Sequence, residues 1–124
     1  MIRFTLRGDF KNLERFFKES KKLPKSIRSI FEKYGKIGVE ALETMTPKDA
    51  GKTAYEWSYQ IHNRGISWNN SNITPNGTPV AILIQYGHGT NSGGYVQGRD
   101  YINPALQPIF DKICEDIWRE VQNL

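Results

Sequence analysis

From Lys25 to Met45, apolar residues recur with helical spacing: Ile27, Ile30, Phe31, Tyr34, Ile37, Ala41, Leu42 and Met45. Lys25, Arg28, Ser29, Lys33 and Lys36 fall on the other side. Pro24 and Pro47 bracket the pattern, and neither residue can continue a helix without loss. A long helix with one apolar stripe is not stable by itself in water; the stripe must be covered by a sheet or by other helices. Gly35 and Gly38 lie inside the segment. Each costs about 1 kcal/mol relative to alanine, so the pair predicts a close backbone approach or a bend.

The elements that could cover this helix follow from shorter patterns. Ile2, Phe4 and Leu6 alternate with Arg3, Thr5 and Arg7, which predicts a strand. Gly8 ends it. Asp9 is a plausible N-cap for a short first helix carrying Leu13, Phe16 and Phe17, stopped by Pro24. After a turn at Asp49-Ala50-Gly51, the residues Tyr55, Trp57, Tyr59 and Ile61 alternate with Glu56, Ser58, Gln60 and His62. Asn63-Arg64-Gly65 then predicts a tight turn into a strand through Ile66 and Trp68. Pro79 to Tyr86 is apolar on both faces, as a central strand would be. Pro104 opens a last helix with Leu106, Ile109, Phe110, Ile113, Ile117 and Val121 on its inner face.

The expected order is β-α-α-β-β-β-α over residues 1–124. That is a single α+β domain: an antiparallel sheet of about four strands, with two N-terminal helices and one C-terminal helix packed on it. Between the last strand and the last helix, Gly87 to Asp100 holds five of the eleven glycines and neither periodicity. A long mobile loop is expected there, and loops of that length in small domains are commonly functional.

Composition narrows the function. One cysteine and two histidines exclude a disulfide framework and argue against a structural zinc site. Cys114 is expected to be a packed small hydrophobe. The opening residues alternate apolar with charged, so they lack the apolar core of a signal peptide. The longest aliphatic run, Val80 to Ile84, is far too short to span a membrane. No membrane partner and a cytoplasmic origin are therefore expected. The net charge of +4 is unevenly placed: residues 1–40 carry eleven Lys+Arg against five Asp+Glu, and residues 41–124 carry six against eight.

Catalytic signatures do not assemble. Gly51-Lys52-Thr53 imitates the end of a phosphate-binding loop, but Thr46 stands where the first glycine is required. Gly87, Gly89 and Gly93 are spaced one residue too far for a dinucleotide fingerprint. His62 falls on the polar face of a strand, and His88, in the glycine loop, is better suited to binding. Asp49, Glu56 and Asp100 form no pair of diagnostic spacing. The expectation is no enzyme, no catalytic or metal site and no cofactor. Lys21, Lys22, Lys25, Arg28, Lys33 and Lys36 form a basic run around the long helix. Diffuse contact with phosphates needs only such charge. The alternative function is therefore a small nucleic-acid-binding regulator using this helix.

Three motifs occur in a telling order: TPKDAGKTAYEW from Thr46, AILIQYGHGT from Ala81, and YINPALQPIF from Tyr101. The chain resembles the neck or tail-completion proteins of long-tailed bacteriophages, also called minor head–tail connector or head–tail joining proteins. Pro47, Asp49 and Gly51 match their P-x-D-T-G-x-L-x-x-S-like turn. Tyr86, Gly89 and Thr90 match a strand ending in G-T, and Tyr101, Pro104 and Ala105 match the aromatic-x-x-P-A opening of the last helix. Ala50, Thr53 and Glu56 depart from the first pattern, standing for its usual Thr, apolar residue and Ser.

The resemblance implies a virion protein, made in a bacterial host's cytoplasm and built into the neck or tail. It would join the tail to the DNA-filled head as part of a homo-oligomeric ring around the DNA path. Its partners would be other neck, connector and tail proteins, with non-specific contact to passing DNA. On this view the loop carries the assembly interface through Gly87, His88, Gly89, Thr90, Gly93, Gly94, Arg99 and Asp100. Pro47, Asp49 and Gly51 shape a turn.

Overall fold

A computed structural model describes residues 2–5, 25–62, 65–90 and 92–122. The elements are β1 (Ile2–Thr5), α1 (Lys25–Met45), a 3-10 segment (Lys48–Tyr55), β2 (Trp57–His62), β3 (Gly65–Asn70), α2 (Val80–Tyr86), β4 (Gly87–Gly89), β5 (Tyr95–Gln97) and α3 (Ile102–Gln122). The α+β class holds. The expected first helix from Asp9 to Pro24, the Asn63-Arg64 turn and the basic residues Lys21 and Lys22 lie outside the described residues.

The sheet differs from the expected four strands. β1, β3 and β2 form an antiparallel sheet in that order, and β4 and β5 form a separate two-stranded hairpin. Tyr59 sits opposite Trp68, and Ile61 opposite Ile66. These residues share the face that meets α1. Tyr55, expected to begin β2, belongs instead to the 3-10 segment and is exposed.

α1 lies against the sheet at its two glycines. A β-carbon on Gly35 would stand 2.4 Å from the Tyr59 ring, and one on Gly38 would stand 2.5 Å from Trp68 Nε1. The indole N–H donates to the Gly35 carbonyl at 3.0 Å. The expected close approach is therefore real, and the missing side chains are what permit it. α3 packs along α1, where Phe31, Ile109, Ile113 and Ile117 join Ile66 and Trp68 in one core. Phe110 tilts against Trp68 with ring centroids 6.0 Å apart. Val121, expected on this stripe, has no described side chain.

The second correction concerns Pro79 to Tyr86. It is a helix, α2, and not a central strand. A run of seven apolar-rich residues does not reveal its period, since buried strand and buried helix look alike at that length. Its ends decide the matter. Pro79 occupies the N-cap position, and Gly87 closes the helix with φ 81°. Ala81 and Gln85, one helical turn apart, face the interior.

Buried polar groups fix the path between α1 and β2. The Thr46 hydroxyl donates to the Leu42 carbonyl and accepts from Trp57 Nε1 at 3.0 Å. Thr46→Val would leave the buried indole N–H without its acceptor, at about 1–3 kcal/mol. The expected result is a lower urea midpoint with an unchanged m-value.

Tyr34 and Tyr101 are both buried. Burial, with the bond to Asp116 adding to it, raises the Tyr34 pKa to about 12. Burial alone raises Tyr101 to about 12. Below pH 10 both tyrosines are protonated whether the chain is folded or not. Above it the unfolded chain ionises first, so stability falls as pH rises from about 10 to about 12. Alkaline titration followed by circular dichroism should show this loss, and Tyr34→Phe with Tyr101→Phe should flatten it.

Candidate assembly surface

The segment expected to be a long loop contains a two-stranded hairpin, β4 with β5, tied at its base. Gly87 must take positive φ to end α2, and the chain then returns across it at Gly98. A β-carbon on Gly87 would lie 2.5 Å from the Val96 carbonyl, and one on Gly98 would lie 2.5 Å from the Gln85 carbonyl. Two backbones touch here, so these two positions need glycine. The Arg99 N–H donates to the Ile84 carbonyl at 2.9 Å and ties the return strand to α2.

Gln85 is the centre of the anchor. Its Oε1 accepts from the Tyr101 and Ile102 N–H groups at 3.0 and 2.9 Å. These are orphan donors at the start of α3, so a glutamine from another helix supplies the cap. Its Nε2 donates to Asp100 Oδ1 at 2.8 Å, and Asn103 Nδ2 donates to the same oxygen at 3.1 Å. The Tyr101 hydroxyl donates to the Ala81 carbonyl at 2.8 Å. Nothing in the sequence marks Gln85, because its partners lie fifteen to seventeen residues away.

At the other end, Thr90 closes the tip. Its N–H donates to the Gly94 carbonyl, and its hydroxyl accepts from the Gly94 N–H. Gly93 turns the chain with φ 85°. Between base and tip, Tyr95 and Val96 project into solvent, and Tyr86 does so beside them. The Tyr95 hydroxyl reaches back to the Tyr86 carbonyl at 3.1 Å. A groove of about 620 Å3 runs along this side, lined by Gln85, Tyr86, Tyr95, Gln97, Asp100 and Asn103. His88 is half-buried in β4, and its Nδ1 has no hydrogen-bond partner among the described residues.

The expected interface residues therefore separate into three groups: Gly87, His88 and Gly89 in β4, Thr90, Gly93 and Gly94 at the tip, and Arg99 and Asp100 at the base. Pro47, Asp49 and Gly51 lie elsewhere, around the 3-10 segment, which packs on α1 and α2. Gly51 has φ 59° with open space around it, so conformation rather than room calls for glycine. Thr53, where the motif usually carries an apolar residue, is fully buried. Its hydroxyl and carbonyl accept the amides of Asn72 and Asn70, both at 2.8 Å.

Compared with protein-family models, with curated proteins and with solved structures, the chain matches none.

Other clusters offer less. His62 lies 2.6 Å from the Ser67 hydroxyl, the beginning of a nucleophile–base pair, but Ser67 is fully buried and no substrate can reach it. Among the described residues no three His, Cys, Asp or Glu side chains gather as a metal site, and no helix is long and apolar enough to cross a membrane. Burial and the nearby Asp111 raise the Cys114 thiol pKa, against a reactive thiolate. On α1, Arg28 pairs with Glu32 at 3.3 Å and Lys33 with Asp116 at 3.9 Å. Lys25 and Lys36 are exposed, with no ion-pair partner among the described residues.

Proposed function

We propose that the chain is a non-enzymatic assembly protein of the bacteriophage neck, completing the tail and joining it to the DNA-filled head as one subunit of a ring. The motifs around Pro47 and Tyr101 suggest the class, while the one ending at Tyr86 falls on a helix where the pattern has a strand. The observation that carries it is the hairpin: anchored through Gln85, Gly87 and Gly98, it holds exposed Tyr86, Tyr95 and Val96 away from the core. Rigid presentation of aromatic side chains suits a protein–protein contact, because little ordering entropy is lost on binding. The test is electron microscopy of particles assembled without this chain. Filled heads lacking stable tails are expected, and stable, infectious tails would contradict the proposal.

The basic face of α1 favours a second function, diffuse binding to nucleic acid. If it acts alone, the isolated chain should bind duplex DNA in a strongly salt-dependent way. Reversing Lys25, Arg28 and Lys36 to Glu should abolish that binding in a filter or fluorescence assay.

A further inference from the structure

We propose that the groove beside the hairpin base takes a basic side chain from α1 of a second copy of this chain, so that copies join head to tail. This contact rests on the neck function proposed above and names its partner surface.

The groove offers the chemistry that recognises a cation. Asp100 Oδ1 is held by the amides of Gln85 and Asn103, while Oδ2 has no partner among the described residues. Gln85 is itself buried and fixed by two backbone N–H groups, so the carboxylate is oriented before any partner arrives. Tyr86 and Tyr95 line the same groove, and both are about two-thirds exposed. A fixed carboxylate beside aromatic rings suits a guanidinium or ammonium group through charge-assisted hydrogen bonds and cation–π attraction. Arg99 follows the groove in sequence but does not line it.

The complementary surface is on α1. Residues 25–36 carry Lys25, Arg28, Lys33 and Lys36 against Glu32 alone. Lys33 already meets Asp116. The Arg28–Glu32 pair is exposed on both sides, and such pairs are weak enough to exchange. Lys25 and Lys36 are unpaired among the described residues. Among the described residues Asp100 is the one charged side chain lining the groove, so the two surfaces are opposite in sign. Since they are different patches of one chain, the contact is heterologous. It repeats from copy to copy and closes into a ring where the rotation allows.

Sedimentation velocity of the purified full chain, over rising concentration and at low and high salt, tests the contact. Self-association that weakens with salt is expected, and this arm needs no variant. Asp100→Asn keeps the oxygen that Gln85 and Asn103 bond but removes the charge. It should weaken association about tenfold or more, the scale of one charge-assisted pair. Lys25→Glu, Arg28→Glu and Lys36→Glu together should do the same. Mixing the two impaired chains should give one-to-one dimers that grow no further, since each keeps one working surface.

A chain monomeric at every concentration, variants that associate like the original, or a mixture that fails to dimerise would each overturn the contact. None of these results touches the neck function, which micrographs of tail attachment score separately. Sound tails in the chain's absence would overturn that function whatever sedimentation shows.

Discussion

Gly38→Ala is expected to destabilise the fold by about 2 kcal/mol or more, despite improving helix propensity. Propensity alone predicts a gain of about 1 kcal/mol. The added carbon would stand 2.5 Å from Trp68 Nε1 and 2.6 Å from Cε2 of the same ring. Trp68 is fully buried, hydrogen-bonded to the Gly35 carbonyl and packed on Phe110. Withdrawing the ring would break that hydrogen bond and that packing, and keeping it in place lifts α1 from the sheet; overpacking of that kind costs about 1–3 kcal/mol beyond any propensity gain. Gly35→Ala meets the half-buried Tyr59 ring instead and should cost less, because Tyr59 can swing outward. Ser29→Ala, on the exposed side of α1, should be neutral or slightly stabilising. Urea midpoints of the three variants give the ranking directly.

The second large effect is expected at Gln85. Gln85→Ala removes the acceptor for two N–H groups at the start of α3 and a donor to Asp100, leaving buried polar groups unsatisfied. Each such group costs about 1–3 kcal/mol. The loss should be local as well as global: the Arg99 and Thr90 amides, which hold the hairpin's base and tip, should exchange faster with deuterium than the amides of α1. Gln85→Glu separates the two roles. Its carboxylate can still accept from Tyr101 and Ile102 near the positive end of α3, but it opposes Asp100. The added carboxyl's pKa should rise in the folded chain. The stability it retains is then present below the unfolded glutamate value, about 4.3, and is lost as pH rises through the folded value. Gln85→Ala should show no such dependence.

These two sites mark what the sequence could and could not disclose. α1 was legible because its stripe runs for 21 residues between two prolines, long enough for a period to declare itself. The two glycines within it pointed to a close approach or a bend, and only the fold, with Tyr59 and Trp68 against them, decides for the close approach. α2 was not legible, since its seven residues show no period and only their end conditions distinguish helix from strand. The hairpin was hidden by its brevity, three residues a side among glycines that normally break strands. Gln85 was hidden by distance, because its value lies in three partners that only the fold brings to it. Asp100 was expected in the interface loop, while Tyr86, Tyr95 and Asn103, which line the groove with it, were not singled out for that surface. Aromatic residues on an expected strand and loop looked like ordinary core and surface until α2 turned them outward together.

The most direct test of the neck function is electron microscopy of particles assembled with Gly87→Val and Gly98→Val in place of the original chain. Both changes strike the crossing at the hairpin base and leave the core beneath α1 untouched. If the hairpin carries the contacts that complete the neck, heads should fill with DNA but remain tailless, with the chain folded and absent from the particles. Infectious, normally tailed particles containing the altered chain would contradict the account.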